Sequence, residues 1–567
     1  MFRALRRTEL PPLIEARGRT IAGRYRRLTP WQFLLVYTAF TAAAFQAPTF
    51  AFAFQSLDVD AFDGWRTLAT LAVLLALLMH LLVGLPLLLS RRLAKLIAVL
   101  LLPANALASY FAHHYGVMLS AGMMGNVFQT NVQEAAALFE PLMLGWLVVF
   151  AVLPGWWIWQ LRWRPDRPLG RCGVWAIGLV AAGVFLYLNA SSWLWLDQHL
   201  SRLGAMTPPW SYLVNGSRFL WREHAASEPR TLLPDLAAPE AAAGPAAGMP
   251  GDPGGVRQAV VLVIGESARA ASFSLYGYGR PTNPALSRAP LLVLPARACA
   301  THTTAALACM LSARGRRVAS HPPEETLPGY LHRHGVDVEW RTNNFGEPPM
   351  QVGRRLAKAD LLGACDRGEF SGADDAALCR RPRDGAFDDA LLLGLAQRIE
   401  ASASRRVLIV LHQAGSHGPA YHEKYPADPT NFTPACASSM PSRCSPEALV
   451  NAYDNSIRHT DRLLAEAIGR LRRLGGWGVT LIYVSDHGES LGEAGLYLHG
   501  APVALAPDVQ LEIPFLIWRS QADVMSAGPR MLPGEYSHDH VFHTVLGALG
   551  LRSGAYRAES DALRHAH

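Results

Sequence analysis

Asp486 and His487 close a β-rich apolar run, residues 479–484, and His499 follows in the next loop. A strand that stops on Asp-His puts a carboxylate and an imidazole at its C-terminal end, where open α/β sheets build their sites. Carboxylate plus neutral imidazole is a ligand set that suits zinc or a similar divalent ion. A second strand-like run, 259–264, leads into Gly265-Glu266-Ser267, and a third, 406–412, is followed by His417. Between Cys299 and Cys309 lie Thr301, Thr303 and Thr304, at what reads as a helix start. Backbone N–H groups at such a start bind phosphate, and a threonine beside a divalent ion can lose its proton and act as a nucleophile. Each piece alone has a plainer reading: Asp and Gly in a turn, His417 in a loop, hydroxyls as helix caps. Three strand ends carrying such groups together favour a site. His302, His422, His459 and His543 read as structural or surface histidines.

The elements that must position these groups alternate between strand and helix, the pattern of an α/β domain with a mostly parallel sheet. The expected strands are 259–264, 336–341, 406–412, 479–484 and 513–518. The clearest helix has Ser445 as N-cap and Pro446 as first residue, and stops at Gly475-Gly476. The tail after Ser553 is expected to fray.

This domain, 258–567, is preceded by a chain of another kind. The protein has 567 residues, is 50% hydrophobic and carries a formal charge of +7, too long for one ordinary domain. Its longest apolar runs, 33–54, 68–89, 96–115, 142–160 and 174–196, fall before about residue 200. Each is long enough to cross a bilayer, which takes roughly 20 apolar residues. The first is too long for a signal peptide and further runs follow it, so it reads as an uncleaved span. Arg24, Arg26 and Arg27 precede the first run, Arg91, Arg92 and Lys95 lie between the second and third, and Arg162, Arg164, Arg167 and Arg171 between the fourth and fifth. The alternate loops are acidic or lack basic residues, which sets the N-terminus in the cytoplasm and the chain beyond residue 197 outside. The expected organisation is thus a transmembrane domain over 1–197, interfacial helices and a Pro/Ala/Gly-rich linker over 198–257, and the α/β domain. Six of the seven cysteines lie downstream in three close pairs, Cys299/Cys309, Cys365/Cys379 and Cys436/Cys444. Local bridges fit an oxidising compartment, with Cys172 left free; unpaired buried cysteines are the alternative.

Several stretches in this order carry a family resemblance. They are Gly265-Glu266-Ser267-Ala268-Arg269, Cys299…Thr303…Cys309-Met310, Trp340-Arg341-Thr342-Asn343-Asn344, His412-Gln413…His417-Gly418-Pro419, Ser485-Asp486-His487-Gly488-Glu489-Ser490 and Tyr497-Leu498-His499-Gly500. The chain resembles the membrane-bound phosphoethanolamine transferases of Gram-negative bacteria, the lipid A-modifying group that includes the mobile colistin-resistance enzymes. The resemblance implies five helical spans in the inner membrane and a periplasmic domain of alkaline phosphatase/sulfatase-like fold. It implies Thr303 as nucleophile, and Glu266, Asp486 and His487 with the Thr303 oxygen as zinc ligands. His417 and His499 then contact the phosphoryl group or a second zinc ion, and Asn343 contacts substrate. Asn126, Thr130 and Glu134 match residues that hold the donor lipid, although their spacing of four also suits one face of an ordinary helix. The implied reaction moves phosphoethanolamine from phosphatidylethanolamine to lipid A phosphate through a phosphoethanolamine–threonine intermediate. The expected partners are these lipids and the membrane, with no nucleic acid, for a monomeric protein. Ala300 and Ala308 depart from the family's usual Gly and Pro. Residues 345–351 lack the family's Cys-Lys-Gly-Val-Cys loop. A lipopolysaccharide core sugar or a periplasmic glucan is the alternative acceptor, and a non-enzymatic sensor on a degenerate phosphatase fold is the reading from another class.

Overall fold

The computed structural model describes residues 27–129, 135–136, 138–226, 230–236, 256–320, 323–370, 372–381, 387–428, 430–438, 441–520 and 528–566. The chain forms two compact units, Met1–His113 with Glu140–Leu213, and His114–Phe139 with Val214–His567.

The first unit is helical. Among the described residues, Phe62–Leu89, Arg91–Tyr115, Pro141–Gln160 and Leu169–Leu188 are long and apolar enough to cross a membrane. The first expected span, 33–54, is a pair, Pro30–Phe45 and Ala47–Ser56, bent by 69°. Pro48 sits in the first turn of the second piece, where it cannot donate to the preceding helix, so the break falls there. Residues 148–152 of the fourth span widen into a π turn just before Pro154, another place where a missing N–H interrupts the ladder.

The second unit is built on a nine-stranded sheet. Its main strands are β1 (Arg257–Gly265), β2 (Leu291–Arg297), β3 (Asp337–Thr342), β4 (Arg354–Ala357), β5 (Arg406–His412), β6 (Trp477–Ser485) and β7 (Glu512–Arg519). The order is β2-β7-β6-β1-β5-β3-β4. From β6 to β4 all neighbours are parallel, and β7 runs antiparallel to both β6 and β2. β1 reads as an almost unbroken apolar run because both its faces are covered. Val261 and Val263 pack with Leu449, Tyr453 and Ile457 on one face. Val260, Leu262 and Ile264 pack with Tyr330, Val541 and Phe542 on the other.

All five expected strands are present, and β2 and β4 are additions to them. Pro295 within β2 argues against a strand. It lies opposite Pro514 of β7, so both missing donors fall on one rung. The helix capped by Ser445 runs Pro446–Leu471, with Ser445 Oγ accepting the Ala448 N–H at 3.1 Å. The tail does not fray: Tyr556 donates to Asp561 at 2.7 Å, Ala562 N–H donates to Thr544 Oγ1 at 3.0 Å, and Ala562 is fully buried.

The two units divide the chain differently from the expected boundaries. Helices up to Leu213 group with the apolar part, and the segment between the third and fourth spans groups with the sheet. Leu233 and Leu236 pack on the sheet's second core, and Tyr330 OH donates to Pro234 O at 2.8 Å. Residues 237–255 lie outside the described residues.

Candidate functional site

The site gathers at the C-terminal ends of β1, β5 and β6. β1 and β6 run in register, with Gly265 beside Ser485, so the next residues, Glu266 and Asp486, emerge side by side, with His487 following. All three are fully buried. His487 Nε2 stands 3.3 Å from Glu266 Oε1 and 3.3 Å from Asp486 Oδ2. Its Nδ1–H donates to Gly488 O at 2.9 Å, which fixes the ring with Nε2 facing the two carboxylates. Thr303 is the first residue of the helix Thr303–Met310. Its hydroxyl donates to Glu266 Oε2 at 3.0 Å and lies 3.5 Å from His487 Nε2.

Asp486 Oδ1 accepts the N–H groups of Ser267 and His487 at 3.1 and 2.7 Å. Its Oδ2 is buried and has no hydrogen-bond partner. An ionised oxygen in that condition is costly unless a cation faces it. Glu266, Asp486 and His487 bring their ligand atoms within 4.8 Å of one another. Two carboxylates, one imidazole and a hydroxyl oxygen are the donor set of a divalent zinc-like site. The same contacts separate the two carboxyls in acidity. Burial pushes both up; the facing imidazoles, His487 foremost, outweigh it at Glu266 and hold it well below the usual carboxylate range. At Asp486 burial and the Glu266 charge win, and its carboxyl is pushed well up. His487 resists burial because Asp486 and Glu266 flank it, rising to about 10.

A second layer faces this group. The His417 and His499 rings lie 5.1 Å apart, and His499 is 4.3 Å from the His487 ring. Burial holds His417 down to about 4 and His499 to about 3, so both are neutral at pH 7. Gly415 makes the approach of the His417 loop possible. Its φ is +47, and a Cβ there would meet Glu266 O at 2.6 Å. The loop is held by Asp388, whose carboxylate accepts the Ala414 and Gly415 N–H groups at 2.8 and 2.9 Å.

Several residues of the site carry no role on sequence grounds alone. Glu489 accepts His499 Nδ1–H at 2.8 Å and Tyr421 OH at 2.6 Å, and burial raises its carboxyl to about 7. Asn344 donates to Glu266 Oε2 at 2.7 Å, whereas Asn343, expected at the substrate, donates to Asp388 at 2.8 Å. His302, expected to be structural, lies close enough to His487 and His499 for their charge to act on it; burial and these neighbours lower it to about 3. His538 accepts the Cys299 N–H at 3.3 Å and donates to Ser485 O at 2.9 Å, tying the threonine loop to β6. Glu489 lies two residues beyond His487, and that proximity is the signal in the sequence that could have found it. The three bridges Cys299–Cys309, Cys365–Cys379 and Cys436–Cys444 are formed and Cys172 is free. Asn126 is on the helix Ala121–Gln129, and Thr130 and Glu134 lie outside the described residues.

A parallel sheet ending in paired carboxylates, a histidine and a helix-start hydroxyl defines a sulfatase-type domain, and the Sulfatase family profile matches residues 258–551. A second profile, phosphoethanolamine transferase EptA/EptB, matches residues 74–223. Phosphoethanolamine transferase EptA of Helicobacter pylori is 33% identical over 94% of this chain and 96% of its own. Phosphatidylethanolamine transferase Mcr-1 of Escherichia coli is 30% identical over 80% and 83%. The solved integral membrane lipooligosaccharide phosphoethanolamine transferase A of Neisseria meningitidis covers 94% of this chain and 98% of its own at a TM-score of 0.78 and 26% identity. This chain belongs to the phosphoethanolamine transferase EptA/EptB family.

Proposed function

We propose that the protein transfers phosphoethanolamine from phosphatidylethanolamine to a phosphate of lipid A, with Thr303 as the nucleophile and zinc as the resident metal. The observation that carries this is the placement of the Thr303 hydroxyl on buried Glu266 and beside His487, whose ring also faces the unpartnered oxygen of buried Asp486. The names of the relatives supply the substrate classes: phosphatidylethanolamine for Mcr-1 and lipooligosaccharide for the meningococcal protein.

Glu266, Asp486, His487 and the Thr303 oxygen would hold zinc, which when bound lowers the hydroxyl pKa and offsets negative charge on the phosphoryl oxygens. Thr303 Oγ forms a bond to the donor phosphorus while the bond to the diacylglycerol oxygen breaks. Diacylglycerol leaves as the alcohol, taking up a proton equivalent to the one Thr303 gives up. The neutral imidazoles of His417 and His499 offer hydrogen bonds to the phosphoryl oxygens, with His499 held in one tautomer by Glu489. They also stand where a second ion would bind, since Glu266, His417 and His499 meet the same distance condition. An acceptor oxygen then attacks phosphorus and releases Thr303. The reading places the first unit in the inner membrane and the α/β unit in the periplasm.

Mass spectrometry of lipid A from Gram-negative cells with and without the gene tests it. A phosphoethanolamine addition on a lipid A phosphate that appears only with the gene is expected. An addition confined to core sugar or glucan would reassign the acceptor.

A further inference from the structure

Among the described residues from 256 onward, Val503 and Leu505 are large aliphatic side chains exposed within one turn, 50% and 37%. The stretch Gly500-Ala501-Pro502-Val503-Ala504-Leu505-Ala506-Pro507 has no charged or polar side chain, which is unusual for a surface loop. The turn is also held in place. Leu505 N–H donates to Pro502 O at 2.7 Å, closing it. Its base is fastened to the threonine loop: Gly500 N–H donates to Thr301 O at 2.8 Å and Thr301 Oγ1 to Ala501 O at 2.6 Å. On the other side Ala501 N–H donates to Gln510 at 3.2 Å. A fixed apolar tip therefore follows His499 in the chain and is hydrogen-bonded at its base to the nucleophile loop.

The base of the turn, Gly500, touches the segment that follows the apolar helix ending at Tyr115 in the chain. Gly500, with φ +92, leaves room for Met123, whose Sδ would be 3.0 Å from a Cβ there. Ser120 Oγ donates to Gly500 O at 3.5 Å. Met123 belongs to the helix Ala121–Gln129, whose Val127 and Phe128 are each 51% exposed. Phe128 stacks on Phe219 of the helix Trp210–Ala226, which exposes Leu220 and Trp221. In the chain, five residues separate the apolar helix ending at Tyr115 from Ala121. Exposed aliphatic and aromatic side chains with a chain tether to membrane helices match an interfacial lipid contact.

We propose that the turn Pro502–Leu505, whose base at Gly500 meets Met123 of the helix Ala121–Gln129, enters the bilayer surface and guides a lipid toward Thr303. The occupant is the lipid bilayer. The guiding role rests on the function proposed above; the membrane contact does not.

The full-length protein, with Cys172→Ser and Val503→Cys, is labelled with a nitroxide and reconstituted in vesicles of phosphatidylethanolamine and phosphatidylglycerol. Collisions with oxygen and with a water-soluble nickel chelate are compared with those of an Arg354→Cys control on β4. Oxygen preference at 503 and chelate preference at 354 are expected; chelate preference at 503 equal to the control overturns the proposal. A second arm compares Val503→Glu/Leu505→Glu with wild type on vesicle phosphatidylethanolamine and on a water-soluble phosphoethanolamine ester. A loss of about tenfold or more on the lipid is expected, since two aliphatic contacts are replaced by charges, with ester cleavage unchanged. An equal loss on both substrates overturns lipid guidance. A wild-type protein that cleaves neither substrate removes the functional reading instead, and the nitroxide result still decides the membrane contact.

Discussion

Ser267 adopts a left-handed backbone, φ 55, at a fully buried position, a conformation that costs a non-glycine residue about 1–3 kcal/mol. The turn lets one residue serve three groups. Its N–H donates to Asp486 Oδ1, its hydroxyl to Glu266 Oε1 at 2.8 Å, and its carbonyl accepts Tyr453 OH at 2.6 Å. Ser267→Gly relieves the backbone while removing the hydroxyl; Ser267→Ala removes the hydroxyl and keeps the strain. Both are expected to lose about 10- to 100-fold in zinc affinity or rate, the usual scale for groups that orient ligands, with the glycine variant at least as thermally stable as the alanine one. A glycine variant with wild-type rate and zinc affinity would show that the hydroxyl does not matter. Thr303→Ala is expected to abolish transfer and still bind about one zinc per chain, because Glu266, Asp486 and His487 remain. Metal analysis of the purified variant checks this. Chelation should lower the Tm of the wild-type protein, since a ligand at about 100 times its Kd stabilises by about 2.7 kcal/mol; an unchanged Tm would argue against a resident metal.

The helix Pro446–Leu471 is the element on which Ser267 leans. Tyr453 lies on it, fully buried, donating to Ser267 O and accepting Arg269 N–H at 3.0 Å. Tyr453→Phe leaves both backbone groups without that partner, at a cost of about 1–3 kcal/mol, and activity is expected to fall along with thermal stability. Ser445→Ala removes only the cap, costs about 1 kcal/mol, and should leave the rate per folded molecule unchanged. Equal effects of the two changes on rate would sever the proposed link between helix and site. Ser445 and Pro446 make this helix legible in the sequence, and unbroken apolar runs do the same for β1, β5 and β6. The strand ends at Glu266 and Asp486 are legible because short apolar runs stop abruptly there. β2 is hidden by Pro295, since a lone proline speaks against a strand and its partner Pro514 is far away in sequence. The packing of the tail is hidden because a few scattered contacts, Tyr556 with Asp561 and Ala562 with Thr544 among them, fix a stretch with no periodic pattern. Asn343 and Asn344 cannot be told apart by sequence, as a strand's end decides which of two adjacent side chains faces inward.

At the scale of the whole chain, an apolar helical unit and an α/β unit share one polypeptide, and the segment between the third and fourth spans belongs with the sheet. On the proposed function the donor's phosphate lies at the bilayer surface, and Ser120 and Met123 of that segment meet Gly500, the residue after His499. Glu134, in that segment and outside the described residues, is expected to pair with the donor's ammonium. Glu134→Ala should then slow transfer from phosphatidylethanolamine strongly while sparing cleavage of a small soluble phosphoethanolamine ester. Equal rates on the lipid would remove that role. The central claim is a two-step transfer through Thr303, and intact-mass spectrometry of the full-length protein tests it most directly. Incubation with phosphatidylethanolamine should add one phosphoethanolamine group to the protein, on the peptide at Thr303, and later addition of lipid A should remove it as lipid A gains the same mass. An adduct on Thr301 or Thr304, or transfer to lipid A by a Thr303→Ala protein that never carries the group, would contradict the two-step route.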